Sequence, residues 1–99
     1  MAADFLLAIE NSRLRGSVAL GVSADTLAWR ALSPERRHTT ELLPAIADLL
    51  EQAQCGPAEV GVVAFSQGPG SFTGLRVAAT VARMWQSAVG CRVVGVPTL

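Results

Sequence analysis

The run Ser66-Gln67-Gly68-Pro69-Gly70-Ser71-Phe72-Thr73-Gly74-Leu75-Arg76 joins two very different stretches of chain. Before it lies the apolar, strand-length Gly61-Val62-Val63-Ala64-Phe65, and after it a segment of helical periodicity from Thr73 to about Val89. A glycine-rich strand-to-helix turn lets backbone approach a neighbour closely and aims amide N–H groups outward. Gly90 ends the helix, and Arg92-Val93-Val94-Gly95-Val96 follows as another apolar strand. Two such strands around a helix predict a right-handed crossover between parallel neighbours.

The first half of the chain reads differently. Phe5-Leu6-Leu7-Ala8-Ile9 is a continuous apolar run, which predicts a strand covered on both faces, as do the two runs above. From Ser17 to Val22 the pattern alternates, with Val18, Leu20 and Val22 on one side. Thr26 to Leu32 places Leu27, Trp29 and Ala31 on one face and Arg30 on the other. Short polar links predict an antiparallel meander of these three strands. A helix is then expected from Thr39 or Thr40, with Leu42, Leu43, Ile46, Leu49, Leu50 and Ala53 at helical spacing. Pro44 either delays its start or bends it, and Gly56-Pro57 stops it. The order is β-β-β-α-β-α-β, an α/β fold with a mixed five-stranded sheet.

The second helix has more apolar surface than one sheet can use. At 100° per residue, Leu75, Ala78, Ala82, Trp85 and Val89 form one apolar face. Val77, Val81, Met84 and Ala88 form another beside it, and Arg76, Thr80, Arg83 and Ser87 share a narrow polar arc. A helix that is apolar nearly all round is covered on a second side, by a partner chain, by further residues of its own chain or by the core itself.

Ninety-nine residues make one small domain with enough apolar content to fold. Eight acidic residues balance eight basic ones, all arginine, and Arg36-Arg37 is the one basic cluster. Such a chain reaches RNA only with the help of a partner. Cys55 and Cys91 lack paired spacing and read as free thiols of a reducing compartment. No apolar run approaches the roughly 18 residues of a membrane span, and no charged region precedes the first apolar stretch. Both point to a cytoplasmic protein with no membrane partner.

Catalytic inventory is thin. G-x-x-x-x-G-K-[ST] fails for want of any lysine, and G-x-G-x-x-G fails by one residue at Gly68, Gly70 and Gly74. G-x-S-x-G fails because Phe72 holds the nucleophile position. The turn could still present N–H groups to an anion; the plainer reading is a tight turn capped by Ser71 or Thr73. His38 is the single histidine, and the residue four further on is Leu42, so no helical His pair exists to hold a metal. Glu10 ends the first strand where an acid can hold a metal–phosphate, yet no second acid accompanies it in sequence. No Ser/His/acid triad is recognisable. These residues imply neither cofactor nor metal.

Four segments carry a resemblance. Ala8-Ile9-Glu10-Asn11-Ser12, Arg37-His38-Thr39-Thr40-Glu41-Leu42-Leu43-Pro44, the run from Gly68 to Arg76, and Val94-Gly95-Val96-Pro97-Thr98-Leu99 match, in order and spacing, the TsaB (YeaZ) family of tRNA threonylcarbamoyladenosine biosynthesis subunits. The resemblance covers essentially the whole chain. It implies an actin-like, ribonuclease-H-like ATPase lobe, with residues 1–99 as the N-terminal lobe and the family's second lobe absent. It also implies a non-catalytic partner of the TsaD-type catalytic subunit, working with the TsaE-type ATPase, meeting tRNA only through the complex and pairing with itself in isolation. The helix faces give the expected partner interface: Leu42, Ile46, Leu49, Val77, Val81, Met84 and Ala88. Gly68, Pro69, Gly70, Ser71, Phe72, Thr73 and Gly74 are expected to be a structural turn. The chain departs from the family where the first strand usually ends in Asp-Thr, here Glu10-Asn11, and where TsaD-type proteins carry two histidines, here His38 and Leu42. The competing expectations are a metal-dependent glycoprotease-like hydrolase, an ATP-binding actin-like enzyme, and a homodimerising domain without a role in tRNA modification.

Overall fold

A computed structural model of the chain describes residues 5–11, 16–22, 25–32, 38–68 and 72–97, with the backbone alone given for 25–27, 38–40, 72 and 73. Strands β1 (Phe5–Glu10), β2 (Ser17–Val22) and β3 (Asp25–Ala31) precede helix α1 (His38–Gln52). A single 3-10 turn (Pro57–Glu59) leads into β4 (Val60–Gly68), helix α2 (Phe72–Val89) and β5 (Arg92–Pro97). The sheet order is β3-β2-β1-β4-β5. β1 pairs antiparallel with β2 and parallel with β4; β2 pairs antiparallel with β3, and β4 parallel with β5. The expected meander and crossovers are therefore present. This is the actin- and ribonuclease-H-like arrangement.

Because β3, β4 and β5 point the same way, α1 and α2 each run from the carboxyl edge of the sheet back to its amino edge. The two helices are thus codirectional, and they lie together on one face, α1 over β2 and β3, α2 over β4 and β5. Between them and the sheet sits one apolar core. Leu7 and Ile9 of β1, Val18 and Leu20 of β2 and Val63 of β4 meet Ile46, Leu49, Ala78 and Ala82 there. The register explains this: Leu7 stands opposite both Leu20 and Val63, so the helix-facing residues line up across three strands. Small side chains at Ala78 and Ala82 let α2 approach the sheet closely.

Three expectations are corrected. The strands β1, β4 and β5 are covered on one face rather than two, since both helices sit on the same side. Leu6 (38%), Val94 (41%) and Val96 (45%) are exposed on the other. On β3 it is Ala28 and not Trp29 that enters the core. Arg30 pairs with Asp48 of α1 at 2.9 Å, and the alternation turns Trp29 (63% exposed) to the open face. Helix α1 does not start late: it runs from His38 to Gln52 with the exposed Pro44 inside it.

Leu49 is fully buried where α1 meets the sheet. Leu49→Ala should lower the unfolding free energy by about 2–5 kcal/mol, the usual loss for a large-to-alanine change in a packed core. Urea denaturation followed by circular dichroism checks this.

Candidate functional site: the glycine turn and the outer flanks of the helices

Gly68 ends β4 with φ of 94°, a conformation that favours glycine, and its N–H donates to Ser66 Oγ at 3.3 Å. Pro69, Gly70 and Ser71 lie outside the described residues; Phe72 and Thr73 open α2. Gly74 is the position that fixes the turn. A Cβ there would run into the carbonyl oxygen of Asn11. Asn11 is completely buried at the end of β1, and its Nδ2 donates to the Gly74 carbonyl at 3.1 Å. Gly16 closes the junction from a third side, where a Cβ would stand 2.7 Å from the Glu10 carbonyl and 2.8 Å from Asn11 Oδ1. The Gly16 carbonyl accepts from Leu32 N–H at 2.8 Å. The end of β1, the entry to β2, the exit of β3 and the first turn of α2 therefore meet backbone to backbone around one amide side chain.

Glu10 points to the open face of the sheet, half-buried beside a cavity of ≈ 240 Å³. Ala8, Ala19 and Ala64 line that cavity together with Ser17 and Ser66. Glu10 is the one carboxylate at this cavity among the described residues. Among the described residues no group of three His, Cys, Asp or Glu could hold a metal ion. Cys55 and Cys91 are buried free thiols, and burial pushes both above their ordinary 9.0. At Cys55 the nearby Glu59 carboxylate adds to the effect.

The helix flanks fall differently from the sequence expectation. Leu42, Ile46, Leu49 and Val81, expected at a partner interface, are buried in the chain's own core. On α1 the residues left outside are Leu43, 46% exposed, Pro44 and Ala47. These went unassigned because Leu43 shares the broad apolar stripe of Leu42 and Ile46, and only the angle at which α1 meets the sheet decides which edge of the stripe stays out. On α2, Met84 is 51% exposed, Ala88 is exposed and Val77 is half-buried. Thr80, Arg83 and Ser87 continue this surface outward. Trp85 is half-buried, and its Nε1 donates to the Pro57 carbonyl at 3.1 Å, tying α2 to the turn ahead of β4.

The family model for TsaD, tRNA N6-adenosine threonylcarbamoyltransferase, matches residues 31–99. The tRNA threonylcarbamoyladenosine biosynthesis protein TsaB of Haemophilus influenzae is 40% identical over 79% of this chain and 33% of its own length. The Escherichia coli protein of that name is 33% identical over 95% of this chain and 40% of its own length. Among solved structures, YeaZ from Pseudomonas aeruginosa superposes on 100% of this chain and 44% of that chain, with a TM-score of 0.83 and 34% identity. The chain thus spans less than half the length of these relatives.

Two outcomes follow from this geometry. Gly74→Ala must push α2 off the end of β1, and the unfolding free energy should fall by about 1–3 kcal/mol or more; Gly56→Ala, where a Cβ meets nothing within 4 Å, should be far milder in the same urea titration. The thiols set a pH limit. The unfolded chain ionises them near 9.0 while the folded chain holds them neutral, so their contribution is intact below that pH and disappears as pH climbs through the folded values. The urea midpoint should fall above pH 9, and less so in a Cys55→Ala/Cys91→Ala variant.

Proposed function

The chain belongs to the TsaB (YeaZ) family of the glycoprotease-like superfamily, and on that premise we propose that it is a non-catalytic docking subunit for a TsaD-type threonylcarbamoyl transferase. Residues 1–99 correspond in this reading to the first lobe of its longer relatives. The partner interface is the outer flank shared by the two helices: Val77, Met84 and Ala88 on α2, with Leu43 and Ala47 on α1. Met84 carries the reading. A long, flexible thioether more than half exposed, with the half-buried Val77 and the exposed Ala88 on the same flank of the helix, is surface suited to another protein.

Other features agree. Zero formal net charge and eight arginines spread along the chain leave tRNA binding to the assembled complex. The TsaE-type ATPase joins through that complex, and the chain pairs with itself when no partner is present. The setting is cytoplasmic; no helix among the described residues is long and apolar enough to cross a membrane. Among the described residues, a hydrolase or ATP-binding reading has only Glu10 as a carboxylate at the cavity of the open face. The Gly68–Gly74 turn is structural in this account, since Gly74 is committed to Asn11.

Met84→Arg tests the proposal against its neighbour Val81→Arg. Burying an unpaired guanidinium in an interface costs about 3–5 kcal/mol, so Met84→Arg should weaken association with the TsaD-type subunit of the same genome ~100-fold or more while leaving the circular dichroism spectrum unchanged. Val81→Arg should instead unfold the chain, because Val81 is core. Co-purification of Met84→Arg at the parental level would remove the interface from this flank.

A further inference from the structure

Asn11 is the only asparagine in the 99-residue sequence, and the small Ser12 follows it. Asparagine is a thermolabile residue, most of all ahead of a small one. The backbone nitrogen of the next residue attacks Cγ, and a five-membered cyclic imide forms as the Cγ–Nδ2 bond breaks. The side-chain nitrogen departs as ammonia, with the proton that the backbone N–H gave up. Water then opens the imide at one carbonyl or the other, leaving aspartate or its backbone-shifted isomer, isoaspartate. Nothing is oxidised or reduced, and water is the sole co-reactant.

The fold withholds what this reaction needs. Asn11 has 0% exposed surface, so bulk water does not reach its amide. Nδ2, the group that must leave, is held by the Gly74 carbonyl at 3.1 Å. The backbone at Gly16 and Gly74 packs so closely on this residue that neither position has room for a Cβ. We propose that Asn11 is a modification site that folding conceals: it deamidates only when the junction between β1 and α2 opens, and the product cannot close that junction again. Aspartate sets a carboxylate oxygen where Nδ2 gave a donor, so two acceptors confront each other at Gly74. It also places a charge where the side chain has no contact with water. Isoaspartate adds a carbon to the backbone at the point where Gly16 and Gly74 leave no space for one. The junction thereby records how long the chain has spent unfolded. The chemistry is the chain's own and depends on no partner.

The tryptic peptide Met1–Arg13 holds this asparagine and no glutamine, so its mass alone reports conversion. The test is incubation of the whole chain in mildly alkaline buffer with reductant, with and without guanidinium chloride, followed by mass spectrometry of that peptide. Conversion should be about 1,000-fold slower, or more, in buffer alone, in keeping with the small fraction of a folded protein that is open at any moment. Leu49→Ala should speed it about tenfold or more in buffer, because more of that chain is open, and leave the rate in denaturant unchanged. Ser12→Val, whose branched side chain crowds the attacking nitrogen, should slow conversion severalfold in denaturant. Converted chain returned to buffer should not regain the parental circular dichroism spectrum, and Asn11→Asp should lower the urea midpoint. Equal rates with and without denaturant, or a Leu49→Ala rate in buffer no faster than the parent's, overturn concealment by the fold. Unchanged conversion in Ser12→Val overturns the imide route, and converted chain that refolds to the parental urea midpoint overturns the block on closure.

Discussion

The contact on which most of this structure depends is between Gly74 and Asn11. α2 can lie over β4 and β5 only if its first turn comes down onto the end of β1, and there the two backbones approach too closely for any side chain at position 74. Asn11 makes that approach stable as well as close. A buried polar side chain without a partner costs about 1–3 kcal/mol, and the Gly74 carbonyl gives the buried Asn11 Nδ2 an acceptor within the junction. Gly16 comes equally close to Glu10 and Asn11, and its carbonyl accepts from Leu32 N–H at the exit of β3. The chain at residues 11, 16, 32 and 74 is thereby fixed at one point. The position of Met84 and Val77 in space is a consequence of that junction, since a rigid helix carries its far end wherever its first turn is held.

How much of this was visible in the sequence varies with the kind of question. Element order followed from hydrophobic period and glycine placement, and β2 was delimited to the residue because strict alternation has two clear ends at Ser17 and Val22. The glycine turn was legible as a turn, but its partner was not. Nothing in a linear reading says that Asn11, 63 residues earlier, is the residue Gly74 must touch. The burial of continuous apolar strands was read too generously. Leu6, Val94 and Val96 look like core residues by composition, but two crossover helices that share one face leave the alternate positions uncovered. On α1 core and surface part within one step of 100°. Leu42 and Leu43 are indistinguishable in character, and one is core while the other is surface.

Two apolar surfaces remain on the described residues, and they differ in kind. The open sheet face has small residues at its middle, Ala8, Ala19 and Ala64, and larger ones toward its edges, Trp29, Val94 and Val96. A sheet with parallel strands is ordinarily buried on both sides, so this face has the character of an unfinished interior. The outer flank of the helices is the reverse. Its apolar residues are few, single and interspersed with Thr80, Arg83, Ser87 and Glu51, which is the composition of a surface that must tolerate water before it meets a partner.

That distinction bears on the proposal that the helical flank, and not the sheet face, is the docking surface. A face whose exposure exceeds what a folded domain sustains alone is covered as part of folding, and its cover is not exchanged. A flank of mixed character can be stable both bare and occupied, which a subunit needs if it is to pass between copies of itself and a different partner. The Asn11–Gly74 junction holds Val77, Met84 and Ala88 on the same rigid frame as the sheet.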